Sequence, residues 1–350
     1  MIIKDKIGYS YNDLTVIPAQ FSRVDSRKKV NPYIYGKTLP LFASPMSTVV
    51  CPENVTTWED NGIIPIVPRN VDIKYRINWM KSGRWVALSL SEANKIFCEE
   101  RQSFPNKVRI CIDIANGHMQ KLINVCSLIK FFYNDKVEIM TGNIANPLTI
   151  INMDKAKIDY VRCGIGGGAG CTTTSNVGVH YPMGSLIDEC RNIKVKNNLN
   201  IKIVADGGIR NFNDVIKALG LGADYVMIGS VFASFFESAA PFVDCDINHL
   251  NSNLSEDEKR DFLKTTRYKE FYGMSTKTAQ KMIKNEAELK TAEGVHKILT
   301  CQYTIKQWVE NMTDYLRSAM SYTDKFDIQD FIGNVDLIIN SISEIQAVNK

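Results

Sequence analysis

Short apolar runs recur along the chain, separated by stretches in which apolar positions return every three or four residues. The first clear run is Leu39–Ser44, followed by Pro45, Met46 and a helical stretch near Pro52–Asn61. The next are Ile63–Val67, Trp85–Leu90 and Val108–Asp113, the last followed by a helical pattern over His118–Phe132. Val137–Thr141 precedes a helix from about Pro147, and Tyr160–Cys163 runs into a glycine-rich stretch. Ile201–Ala205 is followed by a helix over Asn213–Leu219, and Tyr225–Ile228 is the eighth run. Runs of four to six apolar residues alternating with helical periodicity indicate parallel strand–helix units. Eight of them predict an α/β fold of the (β/α)8 TIM-barrel class, with an open doubly wound sheet as the alternative.

The polar positions support the barrel. Barrel enzymes carry their chemistry just past the C-terminal ends of the strands. Ser44 and Met46, Asp113, Gly164–Cys171, Asp206-Gly207-Gly208 and Gly229-Ser230 all fall there. Before the first run, residues 7–20 read as an irregular extended lead-in. After the eighth, residues 234–292 form a long polar excursion, expected as an insertion or lid over the active-site face. Tyr303–Met320 is amphipathic and predicts the last barrel helix, and Asn334–Lys350 reads as a terminal helix. The 1–350 span reads as one domain.

Composition narrows this little further. The chain has 350 residues, 45% hydrophobic, with a formal net charge of +4. Lys194, Lys196 and Lys202 are scattered and read as solvated surface, and no basic cluster interleaved with aromatics points to nucleic acid. Nine cysteines without a C-x-x-C pair or zinc spacing predict reduced thiols and a cytoplasmic protein. No apolar run approaches the roughly 20 residues needed to span a bilayer.

The richest chemistry lies in Cys163-Gly-Ile-Gly-Gly-Gly-Ala-Gly-Cys-Thr-Thr-Thr174, where five glycines fall within seven residues. Such a run either cradles an oxyanion with backbone N–H groups or forms a flexible turn. Cys171 at its end presents a thiol beside that donor set, and backbone donors favour a thiolate. Thr172 and Thr173 add hydroxyls suited to carrying a proton. Asp206 before two glycines matches a ribose diol, or simply caps a turn. Gly229-Ser230 adds donors at the usual barrel phosphate position. Asp113–Gly117 binds a second diol or caps a helix. His118 and His180 read equally as structural or catalytic, Glu293 alone would pass for an exposed glutamate, and the other eight cysteines read as inert.

Taken in order, these motifs resemble the IMP dehydrogenase/GMP reductase family. The resemblance rests on Tyr11-Asn-Asp-Leu-Thr-Val-Ile-Pro18, Ala43-Ser-Pro-Met46, the Gly164–Thr173 loop and Gly178-Val-His-Tyr-Pro182. It continues through Val204-Ala-Asp-Gly-Gly-Ile-Arg210, Ala218–Ser230 and Tyr272-Gly-Met-Ser275. Three features favour the reductase branch: no room for the CBS modules of the dehydrogenases, a short Ser275–Ala292 segment without an Arg-Tyr pair, and the Cys111–Gly117 and Phe271–Ser275 forms. The resemblance implies NADPH-dependent reductive deamination of GMP to IMP and ammonia. Cys171 forms a thioimidate at purine C2, and Thr173 with Glu293 protonates the leaving ammonia. It further implies that Met46, Gly168, Ala169, Gly170, Asp206, Gly207, Gly208, Gly229, Ser230, Tyr272, Gly273, Met274 and Ser275 bind the nucleotide. Asp113, Ala115, Asn116, Gly164 and Gly166 are the implied NADPH contacts. Carbonyls of Gly166, Gly168 and Cys171 are an implied K+ site, and a homotetramer is the implied assembly. The chain departs from the family at Gly167 (usually Pro or Ser), Ala169 (usually Ser), Thr174 (Arg in reductases) and Ser47 (Asp). Alternatives are an IMP dehydrogenase without CBS modules, a reductase for a deoxy- or modified guanine nucleotide, and a silent nucleotide-binding paralogue.

Overall fold

In the computed structural model, which describes residues 7–168, 170–246, 253–273, 276–283, 294–341 and 343–345, eight parallel strands close into a barrel. Strand β1 (Leu14–Val16) precedes it. The barrel is β2 (Leu41–Ala43), β3 (Ile64–Val67), β4 (Trp85–Leu88), β5 (Val108–Asp113), β6 (Val137–Ile144), β7 (Tyr160–Cys163), β8 (Lys202–Asp206) and β9 (Tyr225–Ile228). Each strand pairs with the next, and β9 returns to β2 through Leu41–Val226 and Ala43–Ile228. The predicted bounds of β5, β7 and β9 are those observed. The strand predicted to reach Leu90 stops at Leu88 because Ser89 caps the following turn, its hydroxyl accepting from the Glu92 N–H at 3.2 Å.

Helices α1 (Val55–Asp60), α2 (Ile73–Lys81), α3 (Leu90–Ala93), α4 (Gln120–Tyr133), α5 (Thr149–Lys155), α6 (Thr173–Val177), α7 (Met183–Lys196), α8 (Phe212–Gly220) and α9 (Ser230–Ala233) fill the connections. Alternation along the strands sends one set of side chains inward: Phe42, Ile66, Trp85, Cys111, Met140 and Met227 pack inside the barrel. The other set meets the helices in a larger outer core. The α8 start follows from Asn211 and Asp214, which exchange a reciprocal pair of capping bonds at 3.2 Å.

Three expectations are corrected. Lys194 is buried, not solvated, because Asp224 holds its ammonium at 2.7 Å on the inner face of α7. The 234–292 excursion is less polar in space than in sequence: Phe235, Phe236, Phe242 and Phe271 are buried. It carries α10 (Glu256–Phe262), β10 (Arg267–Tyr272) and α11 (Lys277–Ile283), and β10 pairs antiparallel with β11 (His296–Cys301). Within it Lys269 is fully buried and donates to the carbonyls of Phe235, Phe236 and Ser238 and to the Ser238 hydroxyl, at 2.7, 2.8, 3.1 and 2.9 Å. Burial pushes its amine down to about 7, opposed by the nearby Cys301 and Glu237.

The chain then forms α12 (Ile305–Tyr322), capped by Thr304, and α13 (Ile328–Phe331). The third correction is the tail. Instead of a helix from Asn334, residues 337–339 form β12, paired antiparallel with β1 through Leu14–Ile339, and among the described residues of the tail only 343–345 are helical. Leu337-Ile-Ile339 is an apolar run with two β-branched isoleucines, and its partner strand lies at the other end of the sequence. Among the described residues no helix is long and apolar enough to cross a membrane.

Candidate active site

The C-terminal ends of the barrel strands surround a cavity of about 350 Å3. Met46 lines it after β2, Asp113 and Ala115 at the end of β5, and Asp206, Gly207 and Gly208 at the end of β8. Gly229 and Ser230 line it after β9, and Gly273 after β10. Gly164, Gly166, Gly168, Gly170, Cys171 and Thr173 all line it from the loop after β7. Asn116 and Tyr272 do not line this cavity. Asn116 instead accepts the His118 N–H at 3.0 Å, and the buried Tyr272 ring stacks on His296 with centroids 6.3 Å apart. Ala169, Met274, Ser275 and Glu293 lie outside the described residues.

The loop after β7 is held open by its glycines and tied down by side chains behind it. At Gly164, φ is +137°, and a Cβ there would meet the Asp206 carbonyl oxygen at 2.2 Å. At Gly166, φ is +76°, and a Cβ would meet Thr174 Oγ1 at 2.0 Å. Only glycine satisfies both conditions. The Thr174 hydroxyl donates to the Gly166 carbonyl at 3.0 Å, and His180 Nδ1 donates to the Ile165 carbonyl at 2.7 Å. His180 therefore braces the loop. The half-buried Cys171 thiol lies 3.1 Å from Thr173 Oγ1, and the Cys171 N–H donates to the Gly168 carbonyl at 3.0 Å.

The hairpin of β10 and β11 extends onto this loop. Cys171 forms an antiparallel bridge with Gly294, the Val295 N–H donates to the Gly170 carbonyl at 3.0 Å, and the Gly273 N–H donates to the Val295 carbonyl at 3.2 Å. The thiol-bearing residue is thus joined by a single bridge to the residue that follows Glu293 in the chain, just before the hairpin's β11.

Beneath the loop lies a charged network that the sequence reading missed. Arg162, buried on β7, donates to Asp113 Oδ1 at 2.6 Å and to Asp206 Oδ2 at 2.8 and 2.9 Å. Asn143 Nδ2 donates to the same Asp206 oxygen at 2.6 Å and to the Gly164 carbonyl at 2.8 Å. Burial works against the guanidinium charge, but Asp206 and Asp113 outweigh it and hold its pKa well above the ordinary arginine value. The described bonds to the Asp206 carboxylate all fall on Oδ2. The available signal was an arginine inside an apolar strand, Tyr160-Val-Arg-Cys163, directly before the glycine run.

His118 is pinned at both ring nitrogens. Its Nε2 accepts the Ala145 N–H at 3.1 Å, which leaves the proton on Nδ1, 2.9 Å from Thr149 Oγ1. Burial lowers its pKa, and the imidazole joins the loops after β5 and β6 in its neutral form. Burial also pushes the thiols of Cys51, Cys111, Cys126 and Cys301 up to about 12. These four have the character of unreactive packing residues.

The family model described as IMP dehydrogenase / GMP reductase domain matches residues 107–347, more than half of the chain. The chain belongs to this family. Its matched segment runs from β5 through β12 and contains the whole glycine loop. A GMP reductase of Vibrio vulnificus (strain YJ016) is 26% identical over 348 residues, covering 94% of both chains. A GMP reductase of Onchocerca volvulus is 34% identical over 224 residues, 63% of this chain and 55% of that one. One from Caenorhabditis elegans is 31% identical over 220 residues, covering 63% and 56%.

Proposed function

We propose that this family member is a GMP reductase, converting GMP to IMP and ammonia at the expense of NADPH. The observation that carries the reading is the Cys171–Thr173 contact of 3.1 Å at the edge of the cavity, in a loop paired to Gly294. It brings a nucleophile and a proton carrier to one wall and ties them to Gly294, the residue directly after Glu293. The cavity falls in the ~300–1,000 Å3 range of small-molecule sites.

In this reading Gly208, Gly229 and Ser230 hold the nucleotide phosphate, and Asp206 Oδ1 accepts from the ribose. Cys171 sulfur adds to purine C2, and the exocyclic amino group leaves as ammonia with a proton passed through Thr173 and Glu293. Sulfur is expelled again when C2 has gained hydrogen, leaving IMP and the free thiolate. Bound NADPH supplies the hydride for that step. The residues fit such a group: Asp113 and Ala115 line the same cavity, and the Arg69 Nε–H at its wall is buried without a hydrogen-bond partner among the described residues. For K+, the carbonyls of Gly166 and Gly168 already accept one internal bond each, and each keeps a second lone pair.

The connections between β3 and β5 hold only short helices, with no room for CBS modules, which favours the reductase over the dehydrogenase. Thr174 is spent on the Gly166 carbonyl, so it replaces the family arginine as an internal brace. Assembly as a cytoplasmic homotetramer belongs to the same proposal, as does reading 1–350 as a single catalytic domain.

The test is a pair of absorbance assays on wild type and Cys171→Ala. Loss of NADPH absorbance with GMP is expected, falling about a thousandfold or more in the variant. NADH formed from IMP and NAD+ instead would establish the dehydrogenase. Comparing kcat/KM for GMP, dGMP and guanosine decides the nucleotide, with GMP expected to lead.

A further inference from the structure

Cys163 closes β7 and Cys190 lies midway along α7, 27 positions later, and their sulfurs stand 3.9 Å apart in the outer core. Both are free thiols and both are fully buried. The proposed chemistry uses neither, yet the chain between them carries the glycine run, Cys171, Thr173, α6 and His180. The Cys190 thiol and burial together hold the Cys163 thiol well above its ordinary pKa, so it stays protonated while the core is packed.

α7 reaches the site through Met183, seven positions before Cys190 and on the same buried face of the helix. A Cβ built on Gly164, Gly167 or Gly208 would meet the Met183 side chain at 2.9, 3.2 and 3.2 Å. Met183 is therefore wedged between the glycine run after β7 and the one after β8. A disulfide holds its sulfurs at about 2.05 Å, so bonding this pair draws β7 and α7 together and presses Met183 into both runs. We propose that Cys163 and Cys190 are a redox site, joined as a reversible disulfide by a peroxide-class oxidant, and that the bond weakens nucleotide binding through Met183. One sulfur, as thiolate, attacks the peroxide O–O bond and becomes a sulfenic acid, releasing hydroxide that is protonated to water. The second sulfur displaces the sulfenic oxygen as a second water, so two thiols are oxidised and one peroxide is reduced. Excess small thiol reverses the bond by exchange. Because both sulfurs are buried, the reaction proceeds from a locally opened state of β7 and α7. The bond stands apart from the reductase reading, whereas its effect on GMP rests on it.

The experiment uses the full chain in a Cys171→Ala background, which keeps the site thiol out of the reaction. After hydrogen peroxide and alkylation, mass spectrometry of the digest is expected to show the Cys163 and Cys190 peptides linked, lighter by two hydrogens than their reduced sum. GMP affinity measured by calorimetry is expected to fall about tenfold on oxidation, the scale of one lost hydrogen bond to a phosphate, and to return with dithiothreitol. Adding Cys190→Ala, or Cys163→Val where that variant fails to fold, removes both the linkage and the fall in affinity. Linkage that forms only in urea, or a linked protein that binds GMP as the reduced one does, overturns the proposal. A reduced protein that binds no GMP sinks the reductase reading instead. The redox site then stands if the linked peptides appear with a thermal midpoint shift that dithiothreitol reverses, and falls if they do not.

Discussion

Arg162 holds two carboxylates that line the cavity wall, Asp113 and Asp206, and both lie on other strands. Removing one partner of a buried ionic network leaves the others uncompensated. Arg162→Met is therefore expected to lose about 3–5 kcal/mol of stability by urea unfolding. It should lose GMP affinity as well, because Asp206 is left unanchored. A variant that unfolds like wild type would show that water replaces the guanidinium. His118 gives a second prediction at this scale. Its folded pKa lies below the ordinary histidine value of about 6.5, so as pH falls through that value the unfolded chain takes up the proton first. The folded state gives up the bond from the Ala145 N–H only once His118 itself is protonated. The stability advantage of wild type over His118→Phe should thus be complete above neutrality and shrink as pH drops below about 6.5. NMR titration of the ring protons checks the pKa directly. The sequence made Cys171, the glycines and Asp206 legible because their chemistry is local. It did not make Arg162 or Asn143 legible: their partners sit 49, 44 and 63 positions away, and only barrel closure brings them together.

Among the elements, the strands were readable because each is a short apolar run bounded by polar turns, and β7 and β9 matched to the residue. The α2 and α7 helices were not. In α7 the apolar face is interrupted by Lys194, whose burial depends on Asp224 in the turn before β9. The packing of the excursion after β9 was not readable, because its anchor is a lysine. Lys269 on β10 ties the hairpin to the turn after α9 through four oxygens, a role no hydropathy pattern assigns to a charged residue. Lys269→Met would leave three buried carbonyls and a hydroxyl without that donor, and a loss of about 3 kcal/mol or more is expected. Because the hairpin carries Gly294, activity should fall along with stability. Retained turnover in a destabilised Lys269→Met protein would separate the hairpin from the site.

Across the whole molecule, barrel class was legible and the closure of its flanks was not. The β1–β12 pair joins segments more than 300 residues apart, and Tyr11, just before β1, packs against Gly208 at the cavity. Deleting residues 335–350 is expected to lower the thermal midpoint by several degrees and to raise the KM for GMP, as measured by calorimetric scanning and initial rates. Unchanged KM would confine the tail to a stabilising role. The hairpin has a further effect at this scale. Since Cys171 bridges Gly294 and the Gly170 carbonyl accepts the Val295 N–H, displacing the thiol-bearing loop requires those contacts to break. Deuterium uptake at the Val295 amide, whose acceptor among the described residues is the Gly170 carbonyl, then becomes a clock for that displacement.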